Sequence, residues 1–419
     1  MAAPRLSCSL KKYGFNSKEV VVKVNGKKLL ADLMNWPEKK IEQAITRRSR
    51  YYLVKKIDKD GSIRKTYAPD RELKKLQKRF LKYFLYRIPV GWKNLITGFR
   101  PGCSYVYNAK CHALADAKIV LRLDFANAFP TVETSYLKTI LAKILSQEVE
   151  YHRKGDYPFH PLFPVKRVKW FRRAIKNYYQ LDLFCDPDKI ICEFLDLVLS
   201  FVTYQGRLPQ GAPTSPYLFN IVLWYSGLIQ KITAFLGEKR ISVSVGNVFS
   251  GEVIFTAYAD DLTISSSRSI TKHEVNNLID LIEQESPFRI NREKICYFQA
   301  DRIAPLVTGL RLVKLVKEGR ELDVLMSKAN LNSREKKNLK RKILNREGRW
   351  IVNSVSLPKK GIRKIRGLIH KATYAPPLIQ RMLEQKIKGH LSCLKAIYGD
   401  KLPNQISKPY QKFQQSLRG

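Results

Sequence analysis

The chain has 419 residues, 44% of them hydrophobic, enough for a large core with two or three subdomains and too many for a disordered polypeptide. Lys and Arg number 77 against 36 Asp and Glu, a formal net charge of +41, so a polyanionic partner is implied, nucleic acid before an anionic membrane surface. No apolar run is long enough to span a bilayer and Met1 to Leu10 lacks a signal-peptide core, so a cytoplasmic protein without a membrane partner is expected.

Taken in chain order, Tyr51–Ile57 and Ile63–Tyr67 flank Asp60-Gly61, the signal of a hairpin between two basic strands. Pro69 then opens a segment with Leu73, Leu76, Phe80 and Phe84 at helical spacing, which predicts a helix behind the hairpin. Asn108 and His112 are four apart and can share a helix face. Ala117–Phe125 is a short apolar run ending in Asp124, a buried strand with a carboxylate at its tip. His152 to Tyr179 interleaves aromatics with Lys and Arg, which suits phosphates and unstacked bases or the docking of a partner. Val275, Leu278, Ile279 and Ile282 repeat at helical spacing, and a further apolar run from Leu306 to Val313 carries Gly309. Beyond it the composition shifts: residues 311–419 hold 27 Lys and Arg against 7 Asp and Glu. Helices are expected there around Ser333–Asn345, Ile362–Lys371 and Leu378–Tyr398, with Arg363, Lys364 and Arg366 outward as a phosphate-tracking surface. The seven cysteines are scattered and lack a C-x-x-C pair, which argues against a disulfide framework or zinc site.

The chemistry concentrates in Phe255–Ser265, where Asp260-Asp261 sits between two strand-like runs. Adjacent carboxylates at a hairpin end repel unless a cation lies between them; the alternatives are a divalent metal site and a plain Asp-Asp turn. Asp124 supplies a third carboxylate from a second strand end. Three such groups can hold two metal ions that activate an attacking hydroxyl and stabilise a departing pyrophosphate. Lys56, Lys59, Arg64 and Lys65 on the hairpin can clamp a triphosphate.

Tyr258-Ala259-Asp260-Asp261, Asp124–Pro130 and Leu208-Pro209-Gln210-Gly211-Ala212-Pro213-Thr214-Ser215-Pro216 occur in order and together resemble the palm of a reverse transcriptase. The resemblance extends from about Tyr51 to the C-terminus. Asn108-Ala109-Lys110-Cys111-His112 and Val307-Thr308-Gly309 match signatures that narrow it to retron reverse transcriptases. It implies an α+β right-hand polymerase: residues 1–115 as an N-terminal helical segment and fingers, 116–315 as an antiparallel-sheet palm with an insertion at about 150–180, and 316–419 as a basic helical thumb. It implies two Mg²⁺ ions, with Mn²⁺ as a substitute, held by Asp124, Asp260, Asp261 and the carbonyl of Phe125. Phe129 falls at the position that excludes a 2′-hydroxyl, Gln210 and Gly211 face the incoming deoxynucleotide and template, and Lys294 serves the leaving pyrophosphate. Asn108, His112, Val307, Thr308 and Gly309 would seat RNA, although a structural role fits the same residues.

The implied activity is RNA-directed DNA synthesis on a cognate non-coding RNA, primed from an RNA 2′-OH, giving single-stranded DNA for anti-phage defence with an effector protein as a further partner. The alternatives are a non-retron defence reverse transcriptase that makes repetitive or protein-primed DNA, and an RNA-binding maturase-like protein. The chain departs from the family pattern in carrying Ala128-Phe129 where paired aromatics are usual, and its thumb matches are loose.

Overall fold

The computed structural model describes residues 26–46, 51–57, 63–91, 93–114, 117–154, 187–237, 253–300, 304–318, 349–399 and 402–417. Two short helices, α1 (Gly26–Met34) and α2 (Glu38–Thr46), precede the antiparallel hairpin of β1 (Tyr51–Ile57) and β2 (Ile63–Pro69). The next helix, α3 (Arg71–Tyr83), starts where the Asp70 carboxylate accepts the Leu73 N–H at 2.7 Å, a side-chain cap for one of the unpaired first-turn donors. It buries Leu73, Leu76, Gln77 and Phe80 on one face. Gln77 is a polar residue in that stripe because its amide donates to the Tyr51 hydroxyl and the Phe201 carbonyl, both at 2.7 Å, tying the hairpin to the core.

After α4 (Tyr105–Leu114) come β3 (Ile119–Asp124), the single-turn α5 (Ala128–Thr131), α6 (Thr134–Lys154), α7 (Pro187–Val202), α8 (Ser215–Tyr225) and α9 (Leu228–Phe235). The strands β4 (Val253–Tyr258) and β5 (Asp261–Ser266), the helix α10 (Lys272–Glu285) and β6 (Cys296–Gln299) complete a central antiparallel sheet of order β4-β5-β3-β6. Ile119, Leu121 and Leu123 join the main core with Phe219, Leu278 and Ile282, whereas Val120 points to the other face and meets Val106 and Ala109 of α4. That two-sided burial explains why β3 reads as a continuous apolar run rather than an alternation.

A second sheet, β7 (Leu306–Val307), β8 (Leu310–Glu318) and β9 (Arg349–Ser356), runs across the expected palm–thumb boundary at 315/316. Within the span expected as a basic helical thumb, β9 is followed by three helices, α11 (Lys359–Thr373), α12 (Pro377–Tyr398) and α13 (Asn404–Ser416). They pack around Ile365, Ile369, Ile387, Leu394, Ile406 and Phe413. The expected helix at Ser333–Asn345, the Asp60-Gly61 turn with Lys59, and nearly all of the 150–180 insertion lie outside the described residues. Among the described residues no helix is long and apolar enough to cross a membrane, and the five described cysteines are free.

Candidate active site

β4 and β5 are joined by the two-residue turn Ala259-Asp260, with Ala259 at φ +53°, so Tyr258 pairs with Asp261 at the last rung. On the other side of β5 the register sets Asp261 opposite Asp124 of β3. Residues directly opposite in an antiparallel pair share a face with Cβ atoms about 5 Å apart, where like charges are destabilising. The Phe125 N–H donates to the Asp260 carbonyl at 3.0 Å and closes the turn onto the end of β3. Three carboxylate-bearing positions, more than 130 residues apart in the chain for Asp124 and Asp260, are thereby brought to one end of the sheet.

The charges are balanced unevenly. Lys294 reaches the Asp124 carboxylate at 2.8 Å, and Arg122, two residues before Asp124 on the same strand face, reaches Asp261 at 3.3 Å. Asp260 forms no ion pair among the described residues. Burial, and after it the Asp124 carboxylate, pushes the Asp260 carboxyl up to about 6. Burial also raises Asp261, with Arg122 opposing it. With the side chains lying this way, no three His, Cys, Asp or Glu groups among the described residues are gathered closely enough to hold a metal ion. The donor set nevertheless fits a hard divalent cation: its side-chain donors are all carboxylate oxygens, and one of the carboxyls is raised by burial and has no ion pair among the described residues to offset its charge.

Phe125 keeps its ring in the core, 5.0 Å from Phe288 and 6.1 Å from Phe219, which leaves only its backbone for the site. The Phe129 ring, on α5, is half-buried and anchored against Phe219 at 5.3 Å. Gln210 and Gly211 lie in the loop before α8, which Ser215 folds by donating to the Pro209 carbonyl at 2.7 Å. Gly211 has φ +115°, and a Cβ there would stand 3.0 Å from the Tyr67 carbonyl, so the close approach it permits is to β2. The Tyr67 N–H donates to the Gln210 carbonyl at 2.7 Å and locks the hairpin base against this loop. Lys56 and Arg64 are cross-strand partners in the hairpin.

Of the residues expected either to seat RNA or to serve a structural role, three are buried. Asn108 and His112 do share a helix, but both are fully buried. Asn108 accepts the Thr97 hydroxyl at 2.7 Å, while the two ring nitrogens of His112 bond Ser265 Oγ at 2.6 Å and Thr256 Oγ1 at 2.8 Å. Val307 is fully buried against α4, and the Thr308 hydroxyl donates to the Tyr105 carbonyl at 2.8 Å, so the V-T-G turn packs against the N-A-x-x-H helix. Asn108, His112 and Val307 are thus buried within the protein, whereas Thr308 is half-buried and Gly309 exposed at the turn. Thr308 and Gly309, at φ +46° and +83°, form the turn itself. Arg363, Lys364 and Arg366 are exposed on α11, opposite its buried Ile365 and Ile369.

The residues missed in the sequence are those whose role depends on distant partners. Arg122 carried a weak local signal, a cation inside an otherwise apolar strand. Thr97 and Gly98 carried none, yet Thr97 donates its N–H to Ala257 O at 2.9 Å and Leu95 O receives the Ala257 N–H at 2.6 Å, adding the segment 95–97 to the sheet beside β4.

The model of a family described as reverse transcriptase (RNA-dependent DNA polymerase) matches residues 54–312. Retron Mx65 reverse transcriptase of Myxococcus xanthus is 28% identical over 59% of this chain and 48% of its own length. Retron Ec86 reverse transcriptase of Escherichia coli is 26% identical over 63% of this chain and 62% of its own. The chain thus spans about half of the former and under two thirds of the latter. Among solved structures, the match to a Sicinivirus 3Dpol RNA-dependent RNA polymerase covers 92% of this chain and 72% of that one at 13% identity, with a TM-score of 0.37.

Proposed function

Because the chain belongs to the reverse transcriptase family, we propose that it is an RNA-directed DNA polymerase of retron type, extending a primer hydroxyl on a cognate non-coding RNA with deoxynucleotides. The observation that carries this reading is the placement of Asp124 opposite Asp261 with Asp260 in the adjoining turn. Asp124, Asp260, Asp261 and the Phe125 carbonyl are the groups that would hold two divalent ions of the Mg²⁺ type. Such ions, when bound, supply positive charge to an attacking hydroxyl and a leaving pyrophosphate.

The chain's own residues do the rest. Arg122 pairs with Asp261 and Lys294 with Asp124, and the exposed Lys294 is free to exchange its carboxylate for a phosphate oxygen of the departing pyrophosphate. Phe129, fixed by Phe219, sets a flat apolar wall under the sugar, where a 2′-hydroxyl has no partner. Lys56 and Arg64, paired across the hairpin, bind the triphosphate, and Gln210 with Gly211 lines the path of the base pair beside them. Priming from an RNA 2′-OH and a role in anti-phage defence with an effector protein complete the proposal.

Replacing Asp260 with Asn and assaying DNA synthesis on co-expressed RNA tests the assignment. A loss of about 10³-fold or more is expected while RNA still co-purifies; retained synthesis by the purified variant overturns it. Digestion of the product separates the priming chemistries, since a 2′-5′ branch supports retron-type priming and DNA attached to Tyr or Ser excludes it.

A further inference from the structure

The Ala259-Asp260 turn has a floor, and the floor is Gly98. A Cβ built on Gly98 would lie 2.5 Å from the backbone nitrogen of Ala259, 3.0 Å from the carbonyl carbon of Tyr258 and 3.1 Å from its Cα. All three are backbone atoms, so no side chain can swing aside to admit even a methyl group. The carbonyl of Gly98 is itself fixed, accepting the amide of Asn220, a fully buried residue of α8, at 2.7 Å. On one flank the 95–97 segment pairs with Ala257; on the other the Arg100 guanidinium donates to the carbonyls of Val90 at 2.7 Å, Gly91 at 2.9 Å and Ile96 at 3.2 Å. The turn is thus held between two backbones, Gly98 against Tyr258 and Ala259 on the β4 side and Phe125 bonded to the Asp260 carbonyl on the β3 side.

We propose that Gly98, held by Asn220, is a positioning residue that sets the height of the Ala259-Asp260 turn and hence the place of the Asp260 carboxylate relative to Asp124. This rests on the polymerase reading above and adds to it a part of the machinery that touches neither substrate nor metal. The physical reason is leverage: the turn has two residues and no slack, so a displacement of its backbone passes undiminished to the carboxylate. Misplacement on the scale of 1 Å is known to cost about 10²-fold in rate.

The test compares the full-length wild type with Gly98→Ala in three measurements: thermal unfolding, Mn²⁺ binding followed by electron paramagnetic resonance, and single-nucleotide addition with kcat and KM resolved. The expected result is a kcat lowered by about tenfold or more and a clearly weaker Mn²⁺ affinity, with RNA affinity and the KM for deoxynucleotide within about twofold. Adding Ala259→Gly to Gly98→Ala lets the turn readjust at its positive φ and restores part of both losses. Wild-type Mn²⁺ affinity and kcat in a folded Gly98→Ala protein overturn the proposal. If that variant does not fold, Asn220→Ser removes the tether with no added bulk, and unchanged Mn²⁺ affinity and kcat there overturn it equally. A wild type that binds Mn²⁺ but makes no DNA defeats the polymerase reading, and the Mn²⁺ comparison then still decides the role of Gly98; a wild type that binds no Mn²⁺ defeats both.

Discussion

With both ring nitrogens bonded to hydroxyls and no path to water, His112 is held neutral, and burial pushes its pKa down to about 3. The sign of the consequence is fixed. The unfolded chain protonates this imidazole below its ordinary 6.5 and the folded chain does not, so His112 makes stability fall as pH drops below about 6.5 and keep falling toward about 3. Asp260 acts the other way: its raised carboxyl binds a proton more tightly in the folded state, so its contribution to stability declines as pH rises between 3.8 and about 6. Denaturant midpoints of the metal-free protein at pH 7, 5.5 and 4.5 should therefore flatten in His112→Gln relative to wild type. An unaltered slope sinks this account of the acid limb. The same residue marks where the sequence stopped being legible. Spacing put Asn108 and His112 on one helix correctly, but their partners, Thr97, Thr256 and Ser265, lie up to 153 residues away, and no local pattern says that a polar pair is satisfied inside.

At the scale of elements, α4 joins two bodies. One face sends His112 to Thr256 of β4 and Ser265 of β5, and Asn108 to Thr97 in the segment beside β4; another sends Val106, Ala109 and Ala113 against Val307, Leu310, Val355 and Ile397. The Lys110 ammonium donates to the Ala396 carbonyl at 2.9 Å, and Tyr105 contacts Cys393, so the helix also grips α12. Val307→Ala should destabilise the protein by roughly 2 kcal/mol through the cavity it leaves, with the RNA affinity of the folded fraction unchanged. A selective loss of RNA affinity at full stability would restore Val307 as a contact residue. Elements with strong local signals were readable: the basic hairpin from its Asp-Gly, α3 from its stripe, and α10 from the spacing of Val275, Leu278, Ile279 and Ile282, a helix that the structure finds opened by a reciprocal capping box of Thr271 and Glu274. Two were not. β9 is sparse in apolar alternation and is a strand because β8 pairs along its whole length, and α13 carries an interior Pro409 that sequence rules count against a helix.

On the scale of the whole molecule, the charge is the governing term. Roughly half of the excess positive charge lies beyond residue 310, and the described helices α11 to α13, which pack on an apolar core, carry Lys and Arg far in excess of Asp and Glu on their outer faces, a surface suited to a polyanion. Neutralising Arg363, Lys364 and Arg366 together as Gln should weaken RNA binding and lower the slope of log affinity against log salt by about 2 to 3, without changing the addition rate at saturating RNA. An unaltered slope places the RNA on another face. The carboxylate end of the site was readable because its pattern is short and local. Its support was not: the Gly98 floor and the Asn220 tether bring residues of 98, 220 and 259 together, and a lone glycine or asparagine in a sequence does not announce which backbone it will touch.

The β8–β9 pairing ends with Glu318 opposite Arg349 on a single rung. The chain therefore leaves and re-enters the ribbon at neighbouring points, whatever the length of what lies between. The register of both strands, and with it the docking of α4 beside them, is thus set by the rungs of the ribbon itself, from Arg311 opposite Ser356 to Glu318 opposite Arg349.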